Sequence, residues 1–542
     1  MTRSDAAQLG EVLADLKTRS GRSYEWIGKR ANLSKSAAHR VCTGQSVPPE
    51  FGTVERIARL CDATDEDIAR LFRLWQSATA ARTTDSIPVV PGPVSVLLPP
   101  EQPVAFQRLR SVTKTAVSAG LVVILLIVLG ASTSPRASLP SPAAAAPQQI
   151  SGPTWTLPPA PVPHELFGVT LNSSTGQMPS FDVGALRLWD SGTRWASIET
   201  ARGQFSWTVL DRLVSGATAA ELPVLFVLGG TPVWANPGAP AAPYPDGSRA
   251  APPQDLADWD AYVTALVTRY HGRISGYELW ALANDPRYFN GSISVLVEMT
   301  RRANAVIKRV DPAATVVCPG MGNLWTAAGQ QVLRQFAEAG GYNYCDVAGI
   351  KLYQRTASDP PETMLELATT IDRLLHESGV QPRLWSTGTT YTITLQHPLS
   401  AEQARSYAVR FFLVGIYARY LNLERMYFYS WGSSTIPIVL QVPGGTPTPA
   451  ALAVEQLQHW LAHAQSVSCG HGLPSRLPAN VWQCDFRIDG HAATIRWTDS
   501  GTATTTAEPS VTDVRHLDGA LTPVRAGDTI AVGPDPILIE RR

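Results

Sequence analysis

Apolar positions recur at helical spacing through residues 8 to 77, as in Leu9, Val12, Leu13 and Leu16, and predict a series of short helices. The next pieces begin at Ser23 and Ser34, residues suited to an N-cap because the hydroxyl accepts from a free backbone N–H of the first turn. Between them, Ala31, Asn32 and Leu33 form a short turn that sets two helices at an angle, the helix-turn-helix arrangement. From Glu165 to about Gln465 short apolar runs alternate with amphipathic stretches. Strands are expected at Leu166 to Leu171, Ala185 to Trp189, Val224 to Leu228, Gly276 to Leu282, Thr315 to Cys318, Val347 to Tyr353, Arg383 to Thr387 and Arg425 to Trp431. Strands separated by helices in this way predict a (β/α)8 TIM barrel, with a doubly wound open sheet as the structural alternative. Ser466 to Arg542 alternates with period two, as in Val481 to Ile488 and Ala493 to Trp497, with turns at Asp489-Gly490 and Asp518-Gly519. It reads as a small β-sandwich.

One stretch breaks both periods. Thr115 to Pro135 carries no charge and centres on the apolar run Leu121 to Leu129. As a helix it is roughly 30 Å long, enough to cross a hydrocarbon core, so a single transmembrane helix is expected over 112–133. More than a hundred residues precede it, which makes it a signal anchor and not a cleavable signal peptide. Arg108, Arg110 and Lys114 lie before it and Arg136 alone close behind, so the positive-inside rule puts the N-terminus in the cytoplasm and the barrel outside the cell membrane. Pro-rich linkers are expected at 78–107 and 134–163.

The chain of 542 residues is thus expected to divide into a helix-turn-helix domain (1–77), the membrane span between its linkers, a barrel (164–465) and a β-sandwich (466–542). At 44% apolar and 17% charged it is a foldable composition, and a formal net charge of zero argues neither for nor against nucleic acid. Cys42 and Cys61 fall on the expected reducing side. Cys469 and Cys484 lie close enough to staple the last domain, a contribution of roughly 3 kcal/mol, while pairing of Cys318 with Cys345 stays open. No Cys/His spacing resembles a metal site, and no cofactor is expected.

The run from Ser23 to Gly44 resembles the Cro/repressor-like family, in which the second helix enters the major groove. That resemblance implies a DNA-reading helix bearing Ser34, Lys35, Ser36, His39 and Arg40. Charge supports it independently: from Lys17 to Arg40, the basic residues Lys17, Arg19, Arg22, Lys29, Arg30, Lys35 and Arg40 stand against a single acid, Glu25. A homodimer on paired half-sites would fit such domains. The alternative is a structural membrane anchor that uses the domain for protein contacts and not for DNA.

Further along, Leu186-Arg-Leu-Trp-Asp190, Trp195, Ile198-Glu199, Phe205-Ser-Trp207, Thr231-Pro-Val-Trp234 and Tyr427-Phe-Tyr-Ser-Trp431 stand in the order of clan A glycoside hydrolases, the cellulase and β-xylosidase-like groups. In that family the strand-four Trp is followed by Asn-Glu-Pro, the Glu being the acid/base, and a strand-seven Trp-x-Thr-Glu carries the nucleophile. By the resemblance these positions fall on Leu282, after Trp280-Ala281, and on Gly388, at the end of Leu384-Trp-Ser-Thr-Gly. The strand-six His of the family falls on Lys351. Retaining hydrolysis needs two carboxyl groups about 5 Å apart, and both are missing.

What remains suits holding a sugar. Trp189, Trp234, Trp280, Tyr353 and Trp431 fall near expected strand ends, where rings can stack on pyranoses, and Arg187, Glu278 and Asn284 offer hydrogen bonds. The expectation is therefore a membrane-anchored helix-turn-helix regulator with DNA and the lipid bilayer as partners, and an extracellular, catalytically inactive barrel that binds or senses a glycan. Its enzymatic alternative is a glycosidase with carboxylates relocated to Asp190, Glu278 or Asp285.

Overall fold

A computed structural model describes residues 5–31, 33, 35–48, 51–64, 67, 68, 70, 71, 74, 75, 78 and 150–541. The chain divides into two compact units, residues 1–144 and 145–542.

In the first unit, α1 (Asp5–Ser20), α2 (Tyr24–Ala31), α3 (Lys35–Cys42) and α4 (Phe51–Leu60) follow one another. The Ser23 hydroxyl accepts from Trp26 N at 3.1 Å, so α2 starts at its expected cap; Ser34 lies outside the described residues. Leu9, Leu13, Leu16, Ile27, Ala38, Val41, Val54 and Ile57 form one buried core. The i, i+3, i+4 spacing of the sequence is what brings them onto facing stripes. The thiols of Cys42 and Cys61 are both buried within it.

The second unit holds an eight-stranded parallel barrel built from Phe167–Leu171, Ala185–Leu188, Val224–Leu228, Gly276–Leu279, Thr315–Val317, Ala348–Ile350, Leu384–Ser386 and Leu423–Trp431. Bridges from Val317 to Val347 and from Met321 to Ile350 join the fifth strand to the sixth and close the ring. That excludes the doubly wound open sheet. All five residues of Val224–Leu228 are buried, as expected of a strand with side chains in both the barrel and the helical layer. The helix Ile293–Val310 shows how the outer layer forms. Ser292 caps it, Leu296, Met299, Ala303, Val306 and Ile307 make a buried stripe, and Lys308 and Arg309 lie in its last turn, where cations suit the dipole. The Leu, Met, Val and Ile side chains of the stripe each contribute about 1.5–3 kcal/mol on burial, and Ala303 less.

The C-terminal residues supply six strands of a seven-stranded antiparallel sheet and both strands of a two-stranded sheet, Ala503–Thr506 with Thr529–Val532. A small apolar cluster containing Val514, Ile530, Val532 and Ile539 joins the two sheets. The seventh strand of the large sheet is Trp155–Pro161, from within the stretch expected to be a linker. The other face of that sheet shares a core with the barrel through Trp482, Trp497 and Leu538. Trp497 Nε1 donates to Glu362 Oε1 at 2.7 Å, and Glu362 is buried against the Arg410 guanidinium. This packing is that of a buttress. Disulfides join Cys469 to Cys484 and Cys318 to Cys345.

The single transmembrane helix requires correction. No helix among the described residues is long and apolar enough to cross a membrane, and the segment 112–133 expected to do so lies outside those residues, as do 79–107 and 134–149 of its flanking linkers. The expected single-pass cell-membrane localisation, with a cytoplasmic N-terminus and an extracellular barrel, and the bilayer as a partner, fall with it. An uncharged run supplies the hydropathy of a span but not evidence of one.

Candidate functional site

At the centre of the barrel, alternate strands contribute one layer of inward-pointing residues. Here that layer is charged. Arg187 comes from the second strand, Glu278 from the fourth, and Lys351 follows the sixth. Arg187 Nε lies 2.6 Å from Glu278 Oε2, and Lys351 Nζ lies 3.0 Å from Glu278 Oε1. Thr387 Oγ1 also donates to Glu278 Oε1 at 3.0 Å, while Lys351 donates to Thr387 O at 2.7 Å. Glu278 is fully buried. Burial pushes its carboxyl up, but Arg187 and Lys351 outweigh burial and hold it below the ordinary carboxylate range. Burial and then Arg187 pull the Lys351 ammonium down to about 7, against the attraction of Glu278. Only glycine fits beside this cluster, since a Cβ on Gly320 would stand 2.1 Å from Glu278 Oε1.

Above the charged layer the mouth is closed by tyrosines. The loop after the seventh strand carries Tyr391 over the barrel, where its hydroxyl donates to Asp190 Oδ1 at 2.8 Å and Tyr429 donates to Asp190 Oδ2 at 2.8 Å. Arg194 Nη1 lies 2.9 Å from Asp190 Oδ1. The Tyr391 ring stacks on Tyr288 with centroids 5.7 Å apart, and meets Tyr244 edge-on at 6.0 Å. Below it, a cavity of about 20 Å3 is lined by Arg187, Trp189, Asp190, Leu282, Lys351 and Tyr391. That is room for little more than one water. Gly388 lines a second cavity, of about 50 Å3, with Tyr353, Tyr427 and Tyr429. The two positions at which the resemblance places catalytic glutamates therefore open into different cavities. Trp280 and Leu282 have φ of 97° and 55°. Such bulky residues seldom adopt this region, so the loop keeps a conformation costing on the order of 1–3 kcal/mol per residue.

The sequence-selected residues divide accordingly. Trp431 is fully buried and donates to Gln441 Oε1 at 2.8 Å. Trp280 is buried between Trp259 and Phe289. Trp189 and Tyr353 are also buried, and Trp234 alone of the five is half-buried, donating to Glu199 O at 2.8 Å. Asn284 spends its amide on the 322–329 loop, accepting from Gly322 N at 2.8 Å and donating to the carbonyls of Gly322 and Gly329. Asp285 is held by Arg287, with Nη2 to Oδ2 2.6 Å. Arg187 and Glu278 pair with each other and not with solvent. The sequence reading singles out none of Tyr244, Tyr288 and Tyr391, and holds Tyr429 only within Tyr427-Phe-Tyr-Ser-Trp431. Among the described residues no group of three His, Cys, Asp or Glu could hold a metal.

In the N-terminal unit, α3 presents Lys35, Ser36, His39 and Arg40 to solvent while Ala38, Val41 and Cys42 are buried. Lys35 lies 3.6 Å from Glu25, an exposed pair of little energetic weight. Two aromatic side chains of α2 hold further cations: Arg22 and Arg30 stack on Trp26 at 4.5 and 4.1 Å, and Lys17 lies over Tyr24 at 4.9 Å.

A helix-turn-helix domain family matches residues 8–71. The C-terminal unit is similar in fold to a family 39 glycoside hydrolase from the gut symbiont Bacteroides cellulosilyticus WH2, with 16% identity, 71% of this chain and 82% of that chain covered, and a TM-score of 0.51. It is also similar to the GH39 enzyme from Xanthomonas axonopodis pv. citri, with 14% identity, 71% and 95% covered, and a TM-score of 0.50. At such identities the likeness is one of fold alone. No curated protein matches the chain. The chain thus joins a helix-turn-helix domain to a glycoside-hydrolase-like barrel.

Proposed function

We propose that this is a DNA-binding regulator whose barrel recognises carbohydrate without hydrolysing it. The observation that carries the non-hydrolytic reading is the state of three carboxylates, Glu278 at the barrel centre and Asp190 and Asp285 nearer the mouth. A glycosidase needs one of its pair protonated, with a raised pKa, and the other free to attack or to activate water. Glu278 is instead held ionised between two cations, Asp190 accepts from Arg194, Tyr391 and Tyr429, and Asp285 is taken by Arg287. Each of the six carboxylate oxygens already accepts at least one hydrogen bond.

Carbohydrate recognition rests on the mouth's chemistry more than on its present volume. Tyr391 does what a bound sugar would do: its ring stacks on Tyr288 and its hydroxyl occupies Asp190. A saccharide enters by displacing it, and the closed form lowers apparent affinity by the fraction of time the mouth is open. Tyr391→Ala is therefore expected to bind xylo- or cello-oligosaccharides more tightly than wild type, by about tenfold for each 1.4 kcal/mol of closure removed. Titration calorimetry checks this, and equal silence in both proteins would sink the glycan reading.

On the DNA side, Lys35→Ala with Arg40→Ala should weaken binding to a mixed-sequence duplex. The slope of log K against log salt is expected to fall by about 0.9 for every phosphate contact removed. A salt titration of the full chain gives that slope.

A further inference from the structure

Opposite the mouth, where the first, fifth, seventh and eighth strands begin, lies a cavity of about 450 Å3, far larger than the two near Leu282 and Gly388. Small-molecule sites have volumes of roughly 300–1,000 Å3. Val162, Leu166, Ile416 and Leu423 give this one apolar walls, and Pro161, at the end of the edge strand of the large sheet, also borders it.

Arg383, Arg419 and Arg425 line the same cavity. Half-buried Arg425 lies with its guanidinium over the Trp385 ring, 4.1 Å from the centroid, and its one side-chain hydrogen bond is a long contact of 3.5 Å to the Tyr427 hydroxyl. Arg419 donates to neutral oxygens, Ser466 O at 2.8 Å, Ser466 Oγ at 2.9 Å and Pro158 O at 2.7 Å. Arg383 lies 3.5 Å from Glu424 Oε2, and that oxygen also accepts from Trp385 Nε1 at 3.1 Å. Among the described residues neither Arg419 nor Arg425 forms an ion pair, and Glu165, the other acid bordering the cavity, pairs with none of the three arginines. Cationic charge thus stands beside apolar wall without a counter-ion, an arrangement that an anion with an apolar body would complete.

We propose that this cavity binds a small organic acid, an apolar body carrying one carboxylate, and that Arg425 holds the carboxylate. Stacking on Trp385 engages the face of the guanidinium and fixes its plane, which leaves N–H groups at its edge for two parallel hydrogen bonds to the two oxygens. The apolar body takes the walls out of water. A bare inorganic anion would leave those walls wet, and a neutral ligand of the same shape would leave the cation unpaired. The site is independent of the glycan reading, because the mouth lies at the other end of the strands.

Titration calorimetry of the full chain with 4-phenylbutyrate and with its neutral counterpart, 4-phenylbutyramide, tests the assignment. The carboxylate is expected to bind saturably and the amide about tenfold or more weakly, since the amide gives up a charge-assisted pair. Arg425→Met keeps an apolar stem beside Trp385 and removes the cation, so it should bring the carboxylate down to the level of the amide. Arg425→Lys, which keeps the charge but not the fork, should fall between the two. No saturable binding of 4-phenylbutyrate to wild type, or equal binding of carboxylate and amide, would overturn the assignment without any variant having to fold. Wild-type affinity in Arg425→Met would do the same. In Tyr391→Ala the affinity for 4-phenylbutyrate is expected to be unchanged, and tighter binding there would move the acid to the mouth and refute a site at the opposite end.

Discussion

Glu278→Gln is expected to destabilise residues 145–542 by about 3–5 kcal/mol, because it leaves Arg187 and Lys351 buried at the barrel centre without their shared anion. The variant is isosteric, so packing does not account for such a loss. Urea denaturation at neutral pH, read as a shift of the midpoint at unchanged slope, measures it. The pH dependence has a fixed sign. The Glu278 carboxyl is held below its ordinary range in the fold, so its contribution is present above the unfolded pKa, roughly 4.3, and lost as pH falls through the folded value. The gap between wild type and variant should therefore narrow in acid. Adding Lys351→Met to Glu278→Gln should recover part of the loss, since it removes one of the two stranded cations.

On the non-hydrolytic reading proposed above, aryl glucosides and xylosides are expected to be cleaved by wild type ~10⁴-fold or more slowly than by a barrel with both catalytic glutamates, since that reading leaves the chain without acid/base assistance and without a covalent nucleophile. Release of nitrophenolate under saturating substrate measures the rate. Asp190→Asn and Asp285→Asn should leave that baseline where it is. A rate above the uncatalysed one that falls with either substitution would instead place the chemistry on relocated carboxylates. The geometry argues otherwise, because both groups are already held by hydrogen-bonded cations and Leu282 and Gly388 line separate cavities.

Much of the scaffold was legible because its signals are local. The stripe Leu296, Met299, Ala303 and Val306 marks a helix by spacing alone, and Val224 to Leu228 marks a strand with both faces covered. The site was legible only where a motif names a residue. By the resemblance, Trp280-Ala-Leu-Ala puts Leu282 at the acid/base position, whereas nothing near Trp431 says that its ring lies in the core and not at the mouth. A strand end fixes the height of a side chain in the barrel but not which way it leans, and full burial of Trp431 was decided by Gln441 and the packed helices around it. The apolar run at 121–129 misled for a related reason, since hydropathy reports what a segment could do in lipid and not where it is.

The sequence by itself determined the helix-turn-helix unit and the order of eight strands, since periodicity, caps and residue identity act within a few positions. Only the tertiary structure decided that Arg187 and Glu278, 91 residues apart, neutralise one another, and that Tyr391 reaches Asp190 across 201 residues to close the mouth. Such partners are selected by ring closure of the barrel, which brings every strand's C-terminal end to one place. Desolvation then forces each charge there to find a partner.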